Sequence, residues 1–349
     1  MKNRPTIKDI AAEVGVSHTT VSYILSGNTT QKISDATRKA VLDAARRLQY
    51  VPNGAARALR INSSNCISVA MEKSITQARY GSLLEGIRNT LRAEGYWLML
   101  FDFGSSDGLY PDYLNSVLQR RTDGIIYISS DGNPPPEEWR KVIIANNLPF
   151  VACDCCPKEK ELASISFDYE RGAFEVGCRL FGEGARRLLY WRPDVKVQQE
   201  DYRELGLRRA AALYPGVQLE VCYLPYEQME RSSEVERHQL FSQICRQHMS
   251  QAVIPHLSEY QAGDAVVCSW GVMTKYLAPL MQDKGWNLKL ASLSDSESPV
   301  MKDARILASK SDFLRGGEEC TKLLLQLIRG ETEPHQIIVP PTTPGYLES

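Results

Sequence analysis

The chain is 349 residues long, 43% hydrophobic and 24% charged, with a formal net charge of −1, so it has enough apolar side chains for sizeable cores that need no disulfide. No apolar run approaches the roughly 18 residues of a membrane span, and the basic, helix-like start lacks the apolar centre of a signal peptide. Nine cysteines without paired spacing suit free thiols, so a cytoplasmic protein with no membrane partner is expected.

The charge is unevenly distributed. Through Arg60, ten Lys and Arg stand against four Asp and Glu, about +6, which leaves about −7 for the rest. A local excess of this kind meets phosphates through counterion release, whatever the whole-chain balance. Within it, Ile7, Ile10, Ala11 and Val14 recur at helical spacing, so a first helix carries an apolar stripe that needs a partner. Gly15 admits the positive φ of a sharp turn and Ser17 is a good N-cap, which starts a second helix at about His18. Val21, Ile24 and Leu25 then close a small core and leave His18, Thr19, Ser22 and Tyr23 outside. Two short helices joined by a glycine turn, with an exposed N-terminal face on the second, suit insertion into a DNA major groove. Ser34 to Thr37 cap a third helix bearing Val41, Ala44, Ala45 and Leu48. Pro52 stops that run, Asn53 can cap again, and Ala55 to Arg60 favours a helix too short to hold unless docked.

After a linker at Asn62 to Asn65 the pattern changes. Residues 66–71, 96–101, 124–128 and 149–153 read as buried strands separated by helix-sized stretches such as Ser82 to Glu94. A second set follows Asp168, at 187–191, 217–223, 265–268 and 288–293. The fold class is therefore an all-α helix-turn-helix head and an α/β core of two lobes with doubly wound parallel sheets, whose crevice lies at the carboxyl ends of the strands, between the lobes. Cys153-Asp154-Cys155-Cys156 ends an apolar strand with no histidine or second cysteine pair beside it, so no metal is expected there. His238, His248 and His256 fall in a polar helical region and read as surface residues. There is no phosphate loop, no nucleophile elbow and no metal-spaced histidine pair, and the carboxylates of Ser294-Asp295-Ser296-Glu297 have no evident partner. Neither an enzyme nor a cofactor is expected.

Thr6-Ile7-Lys8-Asp9-Ile10-Ala11, Gly15-Val16-Ser17, Thr20-Val21-Ser22, Ser34 with Thr37-Arg38 and Val41, Tyr50-Val51-Pro52-Asn53 and Ala56-Arg57-x-Leu59 form a long ordered run. It resembles the head and hinge of the lactose-repressor family of bacterial transcription regulators. The resemblance implies a sequence-specific regulator, a repressor, bound as a homodimer to a palindromic operator in double-stranded DNA. It implies that His18, Thr19 and Tyr23 read bases, and that Leu59 is the hinge leucine that two partners wedge into the minor groove. Thr6, Ser17, Thr20, Ser22, Asn53 and Arg57 are expected at the phosphate backbone. Tyr23 stands where the family often has Arg or His, so a single hydrogen bond or a thymine-methyl contact replaces bidentate recognition of guanine. Gly54 costs about 1 kcal/mol relative to Ala in the hinge helix, and the loop from Ser26 to Ile33 is longer than the family's common form.

Gly81 to Gly95, Asp123-Gly124-Ile125-Ile126, Pro149-Phe150-Val151 with Asp154, Asp168 with Gly172, Arg203-x-x-Gly206, Asp295 and Ile338-Val339-Pro340-Pro341 resemble that family's effector-binding core, which is similar to periplasmic sugar-binding proteins. The resemblance implies a sugar-like or nucleobase-like effector in the interlobe cleft, contacted by Arg203, Asp295 and Asp154. Arg79, Tyr80 and Trp270 join the pocket by position. Arg203 and Asp295 can instead form an ion pair that holds the lobes. Two departures, Thr76-Gln77-Ala78-Arg79-Tyr80 in place of Asn-Pro-Phe-Phe and Ser269-Trp270 in place of Asn-Asp, keep a second reading open: a core that senses no small molecule and serves dimerisation or a protein co-regulator. The expected domains are a head at 1–50, a hinge and linker at 51–65, and a core at 66–349, with a first lobe of about 66–165 plus 294–325 and a second of about 166–293 plus 326–349.

Overall fold

A computed structural model describes residues 5–26, 31–51, 63–71, 78–103, 108–129, 132–226, 234–294 and 305–347. The chain divides into two units, Met1–Ser64 and Asn65–Ser349. The first is built from α1 (Ile7–Val14), α2 (His18–Leu25) and α3 (Asp35–Arg47). Each helix starts where a short polar side chain answers a free backbone donor. The Asp9 carboxylate accepts from the Thr6 N–H (2.7 Å) and hydroxyl (2.8 Å), while Ser17 Oγ accepts from the Thr20 N–H (3.0 Å) and Ser34 Oγ from the Thr37 N–H (3.2 Å). Gly15, at φ 74°, turns the chain from α1 into α2. Ile10, Val21, Ile24, Val41 and Ala44 bury the facing stripes against one another.

The second unit holds two six-stranded sheets. The first consists of β1 (Cys66–Met71), β2 (Trp97–Phe101), β3 (Ile125–Ile128), β4 (Phe150–Cys153), β5 (Ala163–Phe167) and β11 (Gln336–Val339), in spatial order β2-β1-β3-β4-β5-β11. The second consists of β6 (Arg187–Pro193), β7 (Gln218–Leu224), β8 (Ala265–Cys268), β9 (Lys289–Ser292), β10 (Ile306–Ala308) and β12 (Gly345–Tyr346), in the matching order β7-β6-β8-β9-β10-β12. All neighbours are parallel except β10 and β12. Strands covered on both faces must be apolar at successive positions, and β3 and β8 are buried throughout. On the first sheet, α4 (Ala78–Ala93) covers one face, and α5 (Asp112–Leu118) and α6 (Glu137–Ala145) cover the other. On the second, α7 (Tyr169–Gly182) and α8 (Gln198–Ala212) lie opposite α9 (Glu234–His248) and α11 (Gly271–Asp283). A π turn at Met249–Val253 leads from α9 into α10 (Ile254–Leu257).

The end of the chain departs from the expected lobe boundaries. β10 lies in the second sheet, whereas α12 (Phe313–Arg329) packs Cys320, Leu323 and Leu324 into the first lobe and β11 extends its sheet, so 294–325 and 326–349 are not the divisions. β10 has three residues, and β11 sits at a sheet edge with Ile338 exposed, so neither shows the long apolar run that marks a buried strand. The chain thus crosses between lobes three times, at 167–169, 309–313 and 340–345. Backbone bonds lace the crossings: the Asp168 N–H donates to Val339 O (3.0 Å) and the Thr342 N–H to Lys310 O (2.9 Å). At two of them an aspartate caps the next helix, Asp168 accepting from the Arg171 N–H and Asp312 from the Arg315 N–H, each at 3.0 Å. His248 is also not the surface residue expected. It is half-buried, its Nδ1 accepts from Trp191 Nε1 (3.2 Å), and burial lowers its pKa. His256 is exposed, and the His238 side chain lies outside the described residues.

Candidate functional site

In the head, the cap at Ser17 fixes where α2 begins and so which residues its first turn presents. His18 and Thr19 are exposed there. Ser22 and Tyr23, expected outside, are half-buried one turn on. The Thr6, Ser17 and Thr20 hydroxyls take part in the caps, with Ser17 Oγ and Thr20 Oγ1 2.9 Å apart, so these polar groups are held at the positive N-terminal ends of α1 and α2. Lys8, Lys32 and Lys39 are exposed on the same unit. Asn53, Arg57 and Leu59 lie outside the described residues.

In the core, the first two turns of α8 carry Gln199, Glu200 and Arg203 into the interlobe region. Asp154 follows β4 at φ 63°, a left-handed conformation that Asp tolerates better than most side chains. Its Oδ1 accepts from the Tyr169 hydroxyl and its Oδ2 from Gln199 Nε2, both at 2.8 Å, so a residue of the first sheet is bonded to a helix of the second lobe. Burial pushes the Asp154 carboxyl up to about 6, against the opposing pull of the Arg79 guanidinium and the Tyr169 hydroxyl. The Arg203 guanidinium lies 4.9 Å over the Tyr169 ring.

Arg203 Nη1 donates to Glu200 Oε1 (2.6 Å) and to Ser269 Oγ (3.3 Å). The Glu200 carboxylate is 1% exposed and also accepts from Ser269 Oγ (2.6 Å), Trp270 Nε1 (2.9 Å) and the Tyr190 hydroxyl (3.2 Å). Burial first, then the neighbouring Glu200 charge, hold the Tyr190 phenol well above its usual range, so it stays a donor. Burial works against the charge on Arg203, but Glu200 together with Tyr190 and Tyr169 outweighs it and keeps that guanidinium protonated. Arg79 Nη2 donates to the Tyr80 hydroxyl (2.9 Å), and the Tyr80 ring is buried in the first lobe's core. The Nε–H groups of Arg79 and Arg203 are both buried without an acceptor among the described residues.

The structure therefore brings Arg203, Asp154, Arg79, Tyr80 and Trp270 into one interlobe region. Arg203 pairs with Glu200, three residues earlier on the same helix, while Asp295, the partner expected for it, lies outside the described residues. Gln199, Glu200, Tyr169, Tyr190 and Ser269 were not anticipated. The spacing of Glu200 and Arg203 is a legible signal for a pair on one helix face, but not for a buried one. Cys153 and Cys155 are buried and Cys156 is half-buried, and burial raises the Cys155 thiol.

A capped three-helix head followed by two lobes of matching strand order defines a helix-turn-helix protein with a periplasmic-binding-protein-like core. Residues 6–53 match the family described as "Bacterial regulatory proteins, lacI family", and residues 67–220 match "Periplasmic binding proteins and sugar binding domain of LacI family". The chain belongs to the lacI family of bacterial regulatory proteins. It is 31% identical over 208 residues to the HTH-type transcriptional repressor PurR of Vibrio parahaemolyticus, a stretch covering 59% of this chain and 60% of that protein. It is 28% identical over 203 residues to catabolite control protein A of Staphylococcus xylosus, covering 58% of this chain and 60% of that one. The chain thus spans about 60% of the length of these curated relatives. Its fold is similar to that of the lac repressor dimer bound to operator and the anti-inducer ONPF, with a TM-score of 0.73 at 18% identity, covering 99% of this chain and 98% of that one. Among the described residues no helix is long and apolar enough to cross a membrane.

Proposed function

We propose that this chain is a transcription repressor, not an enzyme, that acts in the bacterial cytoplasm and binds a palindromic operator as a homodimer. The observation that carries the reading is the head: a basic three-helix unit whose second helix starts at a serine cap and presents His18 and Thr19 on its first turn. In this reading His18, Thr19 and Tyr23 meet base edges, and Thr6, Ser17, Thr20, Ser22, Asn53 and Arg57 meet phosphates. Leu59 wedges into the minor groove. The homodimer is supported by β2, an edge strand on which Trp97 is 77% exposed and Met99 and Leu100 are also exposed, an apolar edge that a second copy covers. An effector in the interlobe cleft biases the angle between lobes and with it the spacing of the two hinges, which decides whether Leu59 reaches the minor groove. The second reading, a core that senses no small molecule, is favoured by one observation: Arg203 is already engaged by Glu200.

The test is selection of randomised operators by the full chain, followed by anisotropy on the winners. A palindrome should emerge. Tyr23→Phe should lose about 1 to 3 kcal/mol of discrimination at one position per half-site, and Leu59→Ala should lose the specific affinity while retaining salt-sensitive binding. No enrichment of any sequence would overturn the repressor reading.

A further inference from the structure

Glu200 is an unusual occupant for the first turn of a helix. A charged side chain there ordinarily reaches into water, where the helix dipole favours it at little cost. Here it points inward and is almost wholly buried, with four donors from three separate elements converging on its two oxygens: Arg203 from α8, Tyr190 from β6, and Ser269 and Trp270 from the loop between β8 and α11. A second buried arginine, Arg192, stands 3.9 Å away. Such a convergence of guanidinium, hydroxyl and indole donors is what a binding site for a carboxylate requires, since each lone-pair direction is met and the charge is neutralised at short range. Two further buried guanidinium donors, Nε of Arg79 and Nε of Arg203, have no acceptor among the described residues, so the same region offers an anion more donors than those residues satisfy.

We propose that the interlobe site is a carboxylate-binding cage occupied, in this conformation, by the chain's own Glu200, and that the ligand class able to replace it is a small organic carboxylate. The neighbouring Gln199 is bonded across the cleft to Asp154, so seating Glu200 also seats the residue that ties the lobes together. A neutral polyol or base brings no charge to replace the one it displaces, and it leaves Arg203 buried and unpaired. A carboxylate replaces Glu200 one for one, freeing the first turn of α8 and the lobe tie with it. The inference rests on the two-lobed core of the reading above but not on DNA binding.

Chemical rescue tests it. In the full chain, Glu200→Ala empties the cage, and its thermal midpoint should fall by several degrees. Formate or acetate should restore it along a saturating curve, while sodium chloride at equal ionic strength and acetamide at equal concentration should not. Adding Arg203→Met to Glu200→Ala should abolish the rescue. A Glu200→Ala protein whose midpoint responds to formate no more than to chloride overturns the proposal. If Glu200→Ala does not fold, Glu200→Gln decides: its amide nitrogen faces donors, so amide exchange in the first turn of α8 should speed up relative to the parent, and unchanged exchange overturns the cage. The readout is core stability. Rescue without operator binding sinks only the repressor reading, and operator binding without rescue sinks only this one.

Discussion

Replacing Arg203 by Met separates a buried ion pair that organises the core from a surface pair that does not matter. Arg203 is 6% exposed and Glu200 1%, so removal of the guanidinium leaves a carboxylate with no way back to water. Breaking a buried pair by deleting one partner costs about 3–5 kcal/mol. Ser269, Trp270 and Tyr190 still donate to Glu200, and Arg192 remains 3.9 Å away, which places the expectation near the lower figure, about 3 kcal/mol. Glu200→Gln in the same protein removes the charge that Arg203 neutralises. In the double variant neither charge is stranded, so the combined loss should fall short of the sum of the single losses by about 1–3 kcal/mol. All five tryptophans lie beyond residue 65, so denaturant unfolding followed by tryptophan fluorescence reports the core without the head. An Arg203→Met midpoint within about 1 kcal/mol of the parent, or strict additivity in the cycle, would refute the argument that this pair is buried and coupled.

Two further outcomes follow from other groups in the core. Asp154 has its folded-state pKa raised from 3.8 to about 6, so the native protein holds a proton that the unfolded chain releases, and its contribution to stability is complete below the ordinary value and lost as pH rises through about 6. Asp154→Asn should remove about 3 kcal/mol of pH dependence between roughly pH 4 and 6.5, and parallel stability-against-pH curves for parent and variant would count against it. A Cβ at Gly206 would collide with the Glu170 carbonyl and crowd Ala173 and Phe174, so α7 and α8 must part to admit it, whereas Gly81 has open space in α4. Gly206→Ala should therefore destabilise by about 1–3 kcal/mol, while Gly81→Ala should stabilise by about 0.5–1 kcal/mol; calorimetry of the two settles whether the glycine serves close helix contact.

The head was almost wholly legible in the sequence because its determinants are local. Helix starts at Ser17 and Ser34 and the turn at Gly15 depend on residues three or four positions apart. Eight strands, most of them apolar runs bounded by turn residues, were legible for a similar reason. β5 was not: it reads Ala163-Ser164-Ile165-Ser166-Phe167, and its serines interrupt the pattern although Ser164 is buried. Arg203 and Asp154 came into view through the family resemblance, which carries position but not partners. Glu200 stayed hidden because its burial is decided by Ser269 and Trp270, 69 and 70 residues further along, and no local rule distinguishes it from a solvated first-turn acid.

The three crossings also dictate an order of assembly. The ribosome delivers β1 to β5 early, yet the first lobe's sheet lacks its edge strand and the core around Ile126 and Val151 lacks the cover of Cys320, Leu323 and Leu324 until α12 and β11 have emerged. The second lobe likewise waits for β10 and β12. Domains that fold as units during synthesis do so once their last element is out. Neither lobe here reaches that point before about residue 339, so both must mature together once these last elements have emerged, and until then the nascent chain carries an open apolar sheet face that is a natural client for a holding chaperone. The head, complete within Met1–Ser64, has no such wait.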